Sequence, residues 1–336
     1  MHTGIDYTSH VWVKDGKGLK KMYLLIFTCL NVRATHIELI EDVSIHSLIL
    51  ALIRFCNIFG TPSHIYSDNA KSFVAGVNFL HEVFLSSEFN EKISKFNIKH
   101  IRIPVYSAWV GSTWERMIRV IKSCLYKVVG RAKLTYFKLL TILSDIQHSI
   151  NSRPLTYRCS DDSGLEGITP NCFIRPNANA NLLFKACDKN VLEADPPSRS
   201  LVNKSIAIRD SMLEHFKQIW YDEYLLSLRE QCKNLHQIKF VNKINVDDVV
   251  LVRGPSHKKR PHWILGRVLE LVYGNDDNIR SFKLKRGDGV IQHHSISHLY
   301  PMELSLTHHF VTTDPSSHTQ ENVGATDEEI DNPVEN

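Results

Sequence analysis

The sequence predicts an α/β protein, and three observations carry that reading: β-rich stretches open the chain, helical apolar spacing follows, and short alternating strands return after a long interruption. Gly4 to Val13, Lys21 to Leu30 and Ala34 to Leu39 are separated by polar turns such as Asp15-Gly16-Lys17-Gly18, which predicts an antiparallel meander. Val43 to Phe59 repeats Leu48, Leu52, Phe55 and Phe59 at helical spacing, with Asp42 or Ser44 as cap and Gly60 with Pro62 as stop. A strand at His64 to Ser67, a helical stretch at Val74 to Phe84 and a strand at Ile98 to Ile103 give the order βββαβαβ. Two long helices follow, Ser112 to Val129 and Thr135 to Asn151, the second closed by Arg153-Pro154 because proline disfavours helix in the residue before it.

Periodicity is lost from Arg175 to Asn203 among Asn, Ala and Pro-Pro, as in a linker. Ile208 to Cys232 then predicts a helix, and Val249 to Arg253, Trp263 to Tyr273, Ile279 to Arg286 and Val290 to His294 alternate as the strands of a small β-barrel. The expected division is a first domain at 1–175, a linker at 176–205, a helix plus barrel at 206–303 and an acidic disordered tail at 304–336.

With 336 residues and 43% hydrophobic content, the chain can bury two cores. Seven scattered cysteines without a CxxC pair argue against a disulfide framework or a cysteine zinc site and for a reducing compartment. Its apolar runs are too short to span a bilayer and no signal-peptide order opens it, so a soluble protein without a membrane partner is expected. Seven of the 36 acidic residues and none of the 40 basic ones lie in 304–336, which leaves the first 303 residues at net +11. Such a body favours polyanions, although a solvated charged face would look the same by charge alone.

Three carboxylates interrupt or closely follow apolar elements: Asp6 in mid-strand, Asp68 at the end of a strand, and Glu115 in the first turn of a helix. Buried carboxylates need a cation or a basic partner. If the two strands are neighbours and the helix packs on them, the three form an oxygen-only cage suited to Mg²⁺ or Mn²⁺, two such ions serving phosphodiester displacement. Arg119 and Lys122 stand four and seven positions after Glu115 and extend that helix face as a phosphate-gripping strip. Taken singly, each is open to a plainer reading: Asp68 as a turn residue, Glu115 as a helix N-terminal charge, Asp6 as an edge-strand aspartate. His293, His294 and His298 lack partners at metal-binding spacing, while Lys258, Lys259 and Arg260 suit phosphate contacts, a nuclear address or a solvated hairpin tip.

Several motifs together resemble the catalytic core of retroviral-type integrases, most closely those of Pao/BEL long-terminal-repeat retrotransposons. They are Gly4-Ile5-Asp6-Tyr7, Phe27-Thr28-Cys29, Arg33-Ala34-Thr35-His36-Ile37-Glu38, Arg54-Phe55, Tyr66-Ser67-Asp68-Asn69, Trp114-Glu115-Arg116, Asn151-Ser152-Arg153-Pro154-Leu155 and Thr169-Pro170-Asn171. The resemblance continues from about Ile208 to Met302, through Trp220-Tyr221, Val246 to Val252, Trp263 to Val268 and His298-Leu299-Tyr300-Pro301. It implies an RNase H-like core with a mixed five-stranded sheet and flanking helices, followed by a helix and a small SH3-like β-barrel. It further implies that Asp6, Asp68 and Glu115 are catalytic and bind two Mg²⁺ or Mn²⁺, and that Arg119 and Lys122 contact DNA ends; Asn69, Arg116, Lys258, Lys259 and Arg260 are further candidate DNA contacts. The expected activity is 3′-end processing and strand transfer on retroelement and target DNA, by a homo-oligomer acting in the nucleus, with the cytoplasm as a second location.

Departures from the pattern are Ala70 after Ser-Asp-Asn where the family has glycine, Ala108-Trp109-Val110-Gly111-Ser112 in place of a Gly-Gly loop, and Ser9-His10 where a Gly-Pro is usual. The family places a His-His-Cys-Cys zinc module ahead of the core, and five residues precede Asp6 here, as expected of a fragment or a domesticated remnant. The competing expectation is a catalytically idle, nucleic-acid-binding remnant; a plain RNase H-like nuclease is disfavoured by the second half of the chain.

Overall fold

The computed structural model describes residues 1–8, 10–16, 18–67, 86–102, 108–130, 132–160, 164–176, 196–236, 244–254, 263–275 and 279–304. The stretch read as a helix at Val74 to Phe84 and the acidic tail beyond Leu304 lie outside these residues.

Strand β1 (His2–Tyr7) is central to the sheet. It pairs antiparallel with β3 (Gly18–Cys29), Asp6 opposite Ile26, and parallel with β5 (His64–Ser67), Ile5 beside Ser67. β5 pairs parallel with β6 (Lys99–Arg102), and β4 (Thr35–Ile40) runs antiparallel along the far edge of β3. These five strands, in the order β4-β3-β1-β5-β6, are the mixed sheet of an RNase H-like core.

Two further strands extend the sheet to seven: β2 (Val11–Asp15) on β3 and β7 (Leu134–Thr135) on β2. The segment Gly4 to Val13, expected as one strand, is β1 and β2 laid along the same edge of β3. Between Tyr7 and Val11 the chain advances four residues while its partner goes only from Leu25 to Met22, a one-residue excess of the kind that makes a β-bulge.

Strand alternation sends the two faces of the sheet into different cores. Ile5, Tyr7, Leu25, Phe27 and Ile65 pack under α1 (Ile45–Phe59) and α2 (Ser87–Ser94), with Leu48, Leu52, Phe55, Phe89 and Ile93 as partners. Leu24, Ile26, Ile37 and Leu39 meet α3 (Ala108–Val128) and α4 (Tyr136–Asn151) through Ile118, Ile121, Leu125, Ile142 and Ile146. The Ser44 hydroxyl caps α1 by accepting from the Ser47 amide, and Asp42 accepts from Ser44 in turn, so both expected cap residues take part. Gly60, at φ 85°, ends the helix in a backbone region that favours glycine.

Helix α4 also serves the outer edge of β4. Asn151 Oδ1 accepts from the Thr35 amide at 2.8 Å, its Nδ2 donates to the Thr35 carbonyl at 2.7 Å, and Gln147 Oε1 accepts from the Ile37 amide at 2.9 Å. The match is geometric: residues four apart on a helix stand on one face, and residues two apart on a strand present their amides to one side.

After α4 come a hairpin of β8 (Thr156–Ser160) and β9 (Gly164–Ile168) and the short α5 (Pro170–Ile174). Helix α6 (Pro196–His236) then runs for 41 residues and starts inside the stretch expected as linker. Its opening Pro196-Pro197 explains the early start, since proline is well placed in a first helical turn where its missing N–H would be unused. Phe216, Trp220, Tyr224 and Leu228 of α6 enter the same core as α3 and α4.

The last unit is a five-stranded antiparallel sheet of the SH3-like kind, in the order β13 (Ile291–Ser295), β12 (Ile279–Arg286), β11 (Ile264–Tyr273), β10 (Val249–Val252), β14 (Leu299–Tyr300). Val250, Val252, Val268, Phe282 and Leu284 give it a small core of its own. Among the described residues no helix is long and apolar enough to cross a membrane.

Candidate functional site

Asp6 sits where the alternation of β1 turns from one core to the other. Ile5 and Tyr7 are buried under α1, so Asp6 faces the α3 side, beside Ile26 on β3. Its Oδ1 accepts from the Tyr7 amide at 2.7 Å and its Oδ2 lies 2.5 Å from Lys122 Nζ on α3. The Asp6 side chain is 28% exposed and that of Lys122 31%, so the pair is only partly screened by solvent.

Helix α3 is fixed over this position by its buried row Met117, Ile118, Ile121, Cys124, Leu125 and Val128. Glu115 stands seven residues before Lys122, two turns and about 10 Å along the axis on nearly the same face. The helix that brings Lys122 to Asp6 therefore carries Glu115 on the same side. Glu115 is half-buried and Arg119 is exposed.

Arg116 leaves this row. It is half-buried, its Nη1 is shielded with no hydrogen-bond partner among the described residues, and it lies within electrostatic reach of Glu230 on α6. Burial pulls its guanidinium below the ordinary range, Glu230 opposes that shift, and the like charge of Arg119 adds to it. Asp68, Asn69, Lys258, Lys259 and Arg260, all expected site residues, lie outside the described residues. Among the described residues no three His, Cys, Asp or Glu side chains form a metal-binding group.

Two polar clusters were not singled out in sequence. Ser67, the last residue of β5, hydrogen-bonds His100 on β6, which in turn meets Asn90 on α2. Arg153, read in sequence at the end of a helix and within the Asn151 to Leu155 motif, is fully buried and joins Glu303 at 3.0 Å, the Ile150 carbonyl at 3.0 Å and the Arg33 carbonyl at 3.0 Å. A mid-chain arginine before proline could have suggested such a clamp. A serine, a histidine and an asparagine on three elements offer no spacing signal.

The fold and the Asp6–Lys122 contact describe a mixed α/β protein with a carboxylate-lysine site on its central strand. Residues 205–302 match the model of a family described as "Family of unknown function (DUF5641)". No curated protein matches the sequence. Among solved structures, the chain is similar to an intasome of simian T-cell lymphotropic virus in complex with the PP2A regulatory subunit B56 gamma: 13% identity, 90% of this chain and 78% of that one covered, TM-score 0.37. It is also similar to the HTLV-2 integrase catalytic core domain in complex with magnesium, at 18% identity over 52% of this chain and 94% of that one, TM-score 0.32. The BIV integrase catalytic core domain is 17% identical over 52% of this chain and 92% of that one, TM-score 0.33.

Proposed function

We propose that the chain is an integrase-like polynucleotidyl transferase of the Pao/BEL retrotransposon type, acting on DNA ends through Asp6, Asp68 and Glu115. The observation that carries the reading is the Asp6–Lys122 contact, because it puts the helix face bearing Glu115 against the central strand bearing Asp6. Asp68 follows β5, the strand next to β1, directly in sequence and lies outside the described residues; Tyr66, two residues before it, packs on the α3 side.

The donor set fits hard divalent cations, since it consists of carboxylate oxygens and one of them already draws an ammonium group. Two Mg²⁺ or Mn²⁺ ions, when bound, would supply charge neutralisation for both the attacking and leaving oxygens of a phosphodiester displacement. Asp6, Asp68 and Glu115 would hold them. Lys122 is then released from Asp6 to a phosphate oxygen, while Arg119, already exposed, meets the backbone of a DNA end. In this reading residues 1–175 are the catalytic domain, 206–303 an accessory DNA-binding unit with Lys258, Lys259 and Arg260, and the working form is a homo-oligomer on nuclear DNA.

A strand-transfer assay with donor DNA ends and Mg²⁺ tests the proposal. The parent chain is expected to nick and join, and Asp6→Asn, Asp68→Asn and Glu115→Gln each to abolish both while retaining a cooperative thermal transition. Joining at the parental rate by any of the three would refute the assignment, and salt-dependent DNA binding without nicking by the parent would mark an idle nucleic-acid-binding protein instead.

A further inference from the structure

The carboxyl end of β5 is tied down by a hydrogen-bonded chain that runs from α2 through β6. Asn90 Nδ2 donates to the Ser86 carbonyl at 3.0 Å, which only accepts, so Asn90 Oδ1 faces His100 Nδ1 at 3.0 Å. Nδ1 therefore carries a ring proton, and Nε2 lies 2.8 Å from the Ser67 hydroxyl. The far end is anchored as well: Ser86 caps α2 by accepting from the Phe89 amide, and the Phe89 ring stands edge-on to His100.

Serine, histidine and asparagine in line invite comparison with a nucleophilic triad. Ser67 is 2% exposed on the α1 and α2 side of the sheet, which denies a substrate carbonyl access to its oxygen. What the chain can do is hold position, since a fully satisfied polar network in a low-dielectric interior fixes geometry in a way that apolar packing does not.

We propose that Asn90, His100 and Ser67 are positioning residues that hold the end of β5, one residue before Asp68, and thereby set the cation affinity of the carboxylate site. The inference rests on the function proposed above and adds three residues to it.

The test measures Mn²⁺ affinity of the full chain by titration calorimetry without DNA, Mg²⁺-dependent nicking, and the melting temperature. Asn90→Leu removes the acceptor for His100, and Ser67→Ala removes the hydroxyl. Each is expected to weaken Mn²⁺ binding roughly tenfold and to lose nicking that excess Mg²⁺ restores. Asn90→Asp keeps the acceptor oxygen and is expected to return Mn²⁺ affinity to within about twofold of the parent. Parental Mn²⁺ affinity in a cooperatively melting Asn90→Leu or Ser67→Ala variant would overturn the positioning role and leave the proposed function standing. Parental affinity in Asp68→Asn would overturn the proposed function itself.

Discussion

Arg153 and Glu303 meet at 3.0 Å with side chains 0% and 4% exposed, joining the end of α4 to the segment that follows the last strand. Tyr224 of α6 donates its hydroxyl to the same Glu303 oxygen at 2.8 Å, and the Leu304 amide donates to the Leu155 carbonyl at 3.0 Å. Burial by itself would pull the guanidinium down; Glu303 and Tyr224 outweigh it and raise the Arg153 pKa. Glu303→Gln leaves that charge buried without a counterion, and a loss of about 3–5 kcal/mol is expected in urea unfolding. The double change Arg153→Met with Glu303→Leu is expected to cost less than Glu303→Gln alone; a greater loss would show that the charge itself holds the C-terminal unit in place.

Asn151 substitutes for a neighbouring strand, exchanging two hydrogen bonds with Thr35. Asn151→Ala strands a buried amide and carbonyl, at about 1–3 kcal/mol for an unsatisfied group. Hydrogen exchange at the Thr35 amide is expected to accelerate in the variant, and unchanged protection would mean that another acceptor takes over.

The reach of the sequence differs between the frame and the site, for physical reasons. His64–Ser67 and Ile279–Arg286 were legible to the residue because alternating apolar runs with clear stops determine them. Helix α2 was not read, because only Phe89 and Ile93 of its eight residues are buried apolar positions. Hairpin β8–β9 escaped because its pattern of half-buried and exposed residues lacks a strong apolar face. At the site, the seven-residue spacing from Glu115 to Lys122 foretold a shared face; that Lys122 meets Asp6 depends on a strand 116 residues away in the chain. Long-range polar contacts such as Ser67 with His100 leave no periodic trace at all.

Lys122 competes with any cation for Asp6 Oδ2. Lys122→Gln is therefore expected to bind Mn²⁺ more tightly in the absence of DNA, by no more than about fivefold, since a partly exposed pair is worth up to ~1 kcal/mol. The same variant is expected to bind DNA ends more weakly. Weaker Mn²⁺ binding in calorimetry would show that Lys122 supports the site instead of competing for it.

Glu38 on β4 is pushed up by burial, but hydrogen bonds and charge from His36 and Arg54 outweigh this and hold its pKa below the ordinary 4.5. A depressed folded-state pKa gives stability that is full above the unfolded value and disappears as pH falls through the folded one. Unfolding free energies measured from pH 6 to pH 3 are expected to fall more steeply for the parent than for Glu38→Gln below about pH 4.5. Parallel curves would remove Glu38 from the acid response.

Cys124 is fully buried on α3, and burial, reinforced by Glu223, pushes its thiol up to about 12. Thiolate is the reactive form, so alkylation at pH 8 mapped by mass spectrometry is expected to modify the exposed Cys159 and Cys172 and to spare Cys124 until the chain is unfolded. Rapid modification of Cys124 in the native protein would reveal opening between α3 and the sheet.

The amides of Thr35 and Ile37 already belong to Asn151 and Gln147, and this limits how the molecule can assemble. An outermost strand with idle N–H groups is a template on which another chain can grow by backbone pairing. Here the first half of that template is occupied from within, so a copy pairing beside β4 would have to displace Asn151 and Gln147, which disfavours fibrillar growth from the Thr35–Ile37 end of this flank.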